Sequence, residues 1–156
     1  MSTFPFAAAR DPQTAVSSSR PKASSAAQHG AELAGRVLLA AIFLISGLSK
    51  IGAYAWTAAY MASLGVPGAL LPAAIALEVL GAIAIVVGWN TRITAFLLAG
   101  FTLLTGLIFH SNFGDQVEMG MFLKNVAIAG GFLLLVANGA GALSLDRRRL
   151  QAALHR

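Results

Sequence analysis

The chain has 156 residues, of which 57% are hydrophobic and only 11% charged, with a net charge of +5 and no cysteine. A soluble domain carries about 25% charged residues, so this composition points to a bilayer. The missing cysteines exclude disulfides, CxxC redox chemistry, thiolate metal sites and iron–sulfur ligation within the chain.

Residues 1–31 are rich in Ser, Ala, Arg and Pro and contain no apolar run, so a disordered basic tail is expected there. The segment lacks the apolar core of about 7–15 residues that a secretory signal needs. Its Arg- and Ser-rich, acid-poor composition has some transit-peptide character, but a solvated tail is the simpler reading. A membrane domain is expected over 32–147, followed by a basic tail over 148–156, with a short surface helix possible from Asp146 onward.

The first span covers 33–49, with Arg36 near its start and Lys50 just past its end. Residues 50–68 read as a re-entrant or interfacial connection that holds Tyr54, Trp56 and Tyr60, aromatics of the kind that sit at headgroup level. Gly65, Pro67 and Gly68 break it before the second span. That span, 69–88, is long enough at about 1.5 Å per residue to cross a hydrocarbon core of roughly 30 Å. Its single charged residue is Glu78. A lone carboxylate at mid-membrane costs roughly 2.5–3.5 kcal/mol on insertion scales, so Glu78 must be protonated, paired with a cation, or in contact with water. Residues 89–92 form a cap and turn, and the third span covers 93–109 and ends at His110. A polar loop with Asp115 and Glu118 leads to the fourth span, 121–137, which carries Lys124 and Asn125 near its start.

The fold class expected is therefore all-α, an integral membrane four-helix bundle with both termini on one side. Nine cations lie on the terminal side (Arg10, Arg20, Lys22, Arg36, Arg92, Arg147, Arg148, Arg149 and Arg156) against Lys50 and Lys124 on the other. By the positive-inside rule this predicts a multi-pass protein of the cell inner membrane with cytoplasmic termini. Arg92 and Arg147 to Arg149 read as topology determinants and anionic-lipid contacts. The cations sit in tails and at helix ends, so no nucleic-acid partner is expected.

Helical spacing puts Arg36, Ala40, Phe43, Gly47 and Lys50 on one face of the first span, and Ala74, Glu78, Gly81 and Ala82 on one face of the second. Ala99, Thr102, Gly106 and His110 share a face on the third, and Lys124, Ala127, Gly131 and Asn138 on the fourth. Small-residue stripes are where membrane helices pack closely, so the polar groups are expected to point inward together. Counting about 1.5 Å per residue from the helix midpoints places Lys124 about 8 Å from Glu78 toward the outer side and Arg36 about 9 Å from it the other way. Lys50 and His110 fall roughly 12–14 Å outward. Lys124 is thus the first expected partner of Glu78 and Arg36 the second, with His110, Asn112 and Asn125 completing a polar pocket.

The segments GRVLLAAIFLISGLSK, YMASLGVPG, ALEVLGAIAIVVGWNTRITAFLLAGF and MFLKNVAIAGGFLLLVANGAGALSLDRR resemble the DoxX family of small four-helix membrane proteins. The shared positions are Arg36, Lys50, Glu78, Arg92, His110, Lys124, Asn125 and Asp146. The resemblance implies a subunit of a quinone-linked oxidoreductase, concerned with thiosulfate oxidation or oxidative stress. Glu78, Lys124 and His110 are the catalytic candidates, and Arg36, Lys50, Asn125 and Asn112 the ligand-binding ones. No cofactor is expected to reside in the chain, and no metal. Quinone is the diffusible carrier expected, and the partners are the lipid bilayer, a redox partner subunit and further copies of the chain. The competing class is non-enzymatic: a membrane scaffold, or part of a small-solute or proton pathway.

The topology is testable with the chain as it stands, because it has no native thiol. Single cysteines placed at Ser2 and Ser111 should react with an impermeant reagent from opposite sides, position 111 from outside the cell. Outside reaction at position 2 with none at 111 would invert the assignment.

Overall fold

The computed structural model describes residues 25–155. The tail expected over 1–31 lies outside the described residues up to position 24, and from Ser25 onward it is already helical. The elements are α1 (Ser25–Gly52), α2 (Tyr54–Ser63), α3 (Leu71–Val87), α4 (Thr91–Phe109), α5 (Gln116–Asn138) and α6 (Leu145–Leu154), with a 3-10 turn at Gly68–Leu70 leading into α3. No strand occurs among the described residues. Four helices are long and apolar enough to cross a membrane: α1, the 3-10 turn continued by α3, α4 and α5.

The connection at 50–68 forms a helix of its own. Thr57 and Met61 are the buried residues of α2, and Leu64 and Gly65 close it before Pro67. Helix α5 begins before the apolar run because Asp115 caps it, accepting the Val117 and Glu118 N–H groups at 2.7 and 3.1 Å. This satisfies donors that a helix start leaves open.

Helix α1 packs chiefly on α3 and α4 chiefly on α5, while α3 and α4 join the two pairs and α1 meets α5 only sparsely. The core lies toward the terminal side and consists of Ala40, Phe43, Ala82, Ile85, Ala95, Leu98, Ala99, Ala129 and Phe132. Alanines let the backbones approach, and Phe43 and Phe132 fill the remaining space edge to face, with centroids 5.3 Å apart. The faces expected on the first three spans turn inward. The fourth is rotated: Ala129 and Phe132 are buried, whereas Lys124, Ala127 and Asn138 are exposed. Bulky Phe132 takes the inward position because it fills the gap opposite Phe43 better than the small residues on the expected stripe. Leu38, Ile45, Leu80, Ile93 and Leu134 stand on the outside, an apolar belt suited to lipid.

The terminal end is fastened by polar groups. Arg36, fully buried, donates through Nη1 to the Ile85 and Val86 carbonyls at 3.4 and 3.2 Å, and through Nη2 to the Leu143 carbonyl. It thereby satisfies carbonyls at the end of α3, where a cation also suits the helix dipole. Gly88 turns the chain there at φ +71, and a Cβ on it would run into both Ser144 and the Arg36 guanidinium. The Asp146 carboxylate accepts the Asn90 and Thr91 N–H groups at 2.8 and 2.9 Å, capping α4 from across the turn. Ser144, just before it, caps α6 through the Arg147 N–H at 3.2 Å.

Burial, the largest influence on Asp146, works against its charge, but the Thr91 and Asn90 N–H groups and nearby Arg149 outweigh it, so its pKa lies below the ordinary carboxylate value. A depressed folded-state pKa gives stability that is present above the unfolded value and lost as pH falls. Asp146→Ala should therefore lower thermal stability in detergent at pH 7 by roughly 0.5–2 kcal/mol, the range for a lost helix cap. The gap between the two proteins should shrink as the pH drops below about 4. A gap that is constant from pH 7 to pH 3 would show that the charge is not what matters.

Candidate functional site

Glu78 is the buried acid of α3, with 5% of its side chain exposed, and its partner is Lys50. The Lys50 Nζ donates to Oε1 and Oε2 of Glu78 at 2.9 and 3.0 Å and to Ser46 Oγ at 2.6 Å. Ser46 Oγ in turn donates to Glu78 Oε1 at 3.3 Å. The carboxylate thus has a cation and a hydroxyl, the arrangement that makes a charge tolerable inside a bilayer.

Neither expected partner reaches Glu78, and side-chain direction explains why. Every Cα–Cβ bond of a helix leans toward that helix's N-terminus. Helices α1 and α3 are antiparallel, so Lys50 leans inward from the loop side while Glu78 leans outward to meet it. Arg36 leans the same way along α1, but it starts nearer the N-terminus, so the lean carries it away from Glu78 toward the carbonyls at the end of α3. Lys124 leans toward the start of α5, and its Nζ lies 3.1 Å from Met121 Sδ. Close packing completes the geometry, since a Cβ on Gly47 would meet Val79 Cγ2 at 2.7 Å and Glu78 Cβ at 3.2 Å.

The pair faces a cavity of about 760 Å³ in the loop-side half of the bundle. Its walls include Ser46, Lys50, Glu78, Thr102, Thr105, His110, Lys124 and Asn125, so the structure brings five sequence candidates together. The rest of the lining is mostly apolar or aromatic. Trp56 and Tyr60 of α2 stack at 5.5 Å, and Tyr60 stacks on Phe109 of α4 at 5.8 Å. The Thr102 and Thr105 hydroxyls donate to the Leu98 and Phe101 carbonyls at 2.7 and 2.9 Å, which leaves oxygen lone pairs free for the cavity. Asn125 packs against Gly106, where an added Cβ would come within 3.1 Å of its Nδ2. At the mouth, His110 Nδ1 lies 2.8 Å from Glu118 Oε2. Asp115 does not join them, being used to cap α5.

Two sequence candidates stand elsewhere. Arg36 belongs to the terminal clamp, and Asn112 lies exposed in the loop beyond the cavity. Sequence reasoning placed Thr102 on the inward face without counting it in the site, and it missed Ser46, Thr105 and the aromatic wall. Ser46 was within reach, because it precedes Lys50 by one helical turn.

The DoxX family profile matches residues 31–111. The chain is also 51% identical over 115 residues to the inner membrane protein YqjF of Escherichia coli K12, covering 74% of this chain and 88% of the relative. The chain belongs to the DoxX family. A second relative, the inner membrane protein YphA of the same organism, is 47% identical over 123 residues, again 74% of this chain and 88% of the relative. No solved structure gives a significant match. The matched family segment contains Lys50, Glu78 and His110 of this DoxX protein but stops short of Lys124 and Asn125 on α5.

Removing one member of a buried ion pair costs roughly 3–5 kcal/mol when both groups are enclosed. Lys50 is 27% exposed in its side chain, so a smaller loss applies. Lys50→Met and Glu78→Gln should each lower the melting temperature in detergent, and the double variant should recover part of the loss. The pairing of Glu78→Gln with Lys124→Met should instead be additive. Additivity in the Lys50 cycle would show that the two groups do not interact.

Proposed function

We propose that this DoxX protein is the membrane subunit of a quinone-linked oxidoreductase and that the loop-side cavity receives the quinone ring. The observation that carries this reading is the Lys50–Glu78 pair in the wall of an apolar cavity within the membrane-spanning part. A lipid-soluble ligand can reach such a site, and a few convergent polar groups on an apolar lining are the usual form of a small-molecule pocket. Lys50, Lys124 and Asn125 are donors suited to quinone carbonyls. The stacked Trp56, Tyr60 and Phe109 supply an aromatic wall for a flat ring. His110 with Glu118, and Glu78 with Lys50, are groups able to exchange the two protons that accompany the two electrons of quinone–quinol interconversion. In this reading the two electrons come from a redox partner subunit; the chain itself has no cysteine to supply a thiol or an iron–sulfur ligand.

The likeness to YqjF and YphA, both named inner membrane proteins, supports placement in the inner membrane. The cation bias supports cytoplasmic termini. The apolar core below the ion pair weighs against a through-path for solutes or protons, because Phe43, Leu98 and Phe132 close the bundle toward the terminal side.

Trp56 lines the cavity and Trp89 does not. In a Trp89→Phe background, a short-tailed ubiquinone analogue should quench the remaining tryptophan fluorescence saturably. The double change Lys50→Met with Glu78→Gln should weaken that binding at least tenfold, which is about 1.4 kcal/mol. Linear, non-saturating quenching in the parent protein would sink the proposal.

A further inference from the structure

The opposite end of the molecule holds a second cavity, of about 700 Å³, between the start of α1, the turn into α4, the end of α5 and α6. Its walls include Asn90, Thr91, Arg92, Ile93, Arg147 and Leu150. Two acids also border it, and both are engaged within the protein, Glu32 Oε1 by the Gln28 side-chain amide at 3.3 Å. Asp146 caps α4, and Glu32 Oε2 accepts the Ala142 N–H at 3.3 Å. Arg92 and Arg147 are exposed and form no ion pair among the described residues. Arg92 lies along the cavity edge, where a Cβ on Gly139 would meet its Nε at 3.7 Å. Thr91 is fully buried in the wall, with an Oγ1 that makes no hydrogen bond of normal geometry among the described residues but lies close enough to the Asp146 carboxylate to favour its charge.

From this we infer a binding site for the phosphodiester head group of an anionic phospholipid in the leaflet on the terminal side. Two guanidiniums without carboxylate partners beside a hollow are donors matched to phosphate oxygens. The start of α4 contributes no free N–H at Asn90 or Thr91, since Asp146 already takes both, and recognition is assigned to the arginines.

The surroundings favour a lipid over a soluble phosphate. Ile93, 65% exposed, stands in the first turn of a membrane-spanning helix and forms part of the wall, as does Leu150. They offer apolar surface to the glycerol end of an acyl chain. Trp89 lies next to this end of α4, with the Arg149 guanidinium 5.8 Å from its ring centroid. An aromatic under a cation is suited to headgroup level.

The full-length protein in nanodiscs of mixed phosphatidylcholine and phosphatidylglycerol provides the test, with retained lipid counted by native mass spectrometry. The parent protein should retain phosphatidylglycerol at least tenfold over phosphatidylcholine. Arg92→Gln with Arg147→Gln should bring the ratio close to one, whereas Arg92→Lys with Arg147→Lys should keep most of it. An unchanged ratio in the glutamine variant would overturn the assignment. Displacement of the retained lipid by millimolar glycerol 3-phosphate would also overturn it, in favour of a soluble phosphate ligand. A measurement on the parent protein alone guards against a variant that fails to fold. Added phosphatidylglycerol should raise its melting temperature in detergent and phosphatidylcholine should not, and equal shifts would refute the site.

Discussion

A carboxylate in a low-dielectric interior cannot stay charged without a cation close by, and the loop-side half of this bundle is organised around that constraint. Glu78 is held by Lys50 and Ser46, all on α1 and α3, and the contact is possible only because Gly47 lets the two helices approach. The ion pair and the glycine contact therefore depend on each other. A side chain at position 47 would push α3 away and separate the charges, while loss of one charge would leave the other facing an apolar cavity.

The two ends of the molecule use polar groups differently. At the terminal end, Arg36, Ser144 and Asp146 are spent on backbone carbonyls and N–H groups, completing hydrogen bonds that helix ends leave open. At the loop end, Lys50, His110, Lys124 and Asn125 line open space and keep capacity for further bonds. Charge inside a membrane protein is therefore no guide to function by itself. Arg36 is the most deeply buried cation of the described chain, and every hydrogen bond it makes goes to backbone.

The architecture was legible in the sequence because long apolar runs and terminal cations are one-dimensional signals. Three of the four inward faces followed from helical spacing. Which cation meets Glu78 did not, because counting rise per residue treats each side chain as if it projected straight from its helix. Adding the lean toward the N-terminus would have chosen Lys50 over Lys124. The face of α5 was missed for a different reason. A stripe of small residues competes there with Phe132, whose place is decided by Phe43 on a distant helix. The aromatic wall was hidden because Trp56 and Tyr60 lie in a connection whose helical form is not announced by an apolar run.

The sparse meeting of α1 and α5 has a mechanical meaning. The α1–α3 pair and the α4–α5 pair are riveted at the terminal end by Arg36, Gly88, Ser144 and Asp146. Toward the loops they are bridged mainly by side chains around the cavity. The bundle is thus built like a clothes peg, with its spring at one face of the bilayer and its jaws at the other. A molecule prising the jaws apart would work against lipid and a few side chains, while the spring end, with its backbone hydrogen bonds intact, would hold its shape.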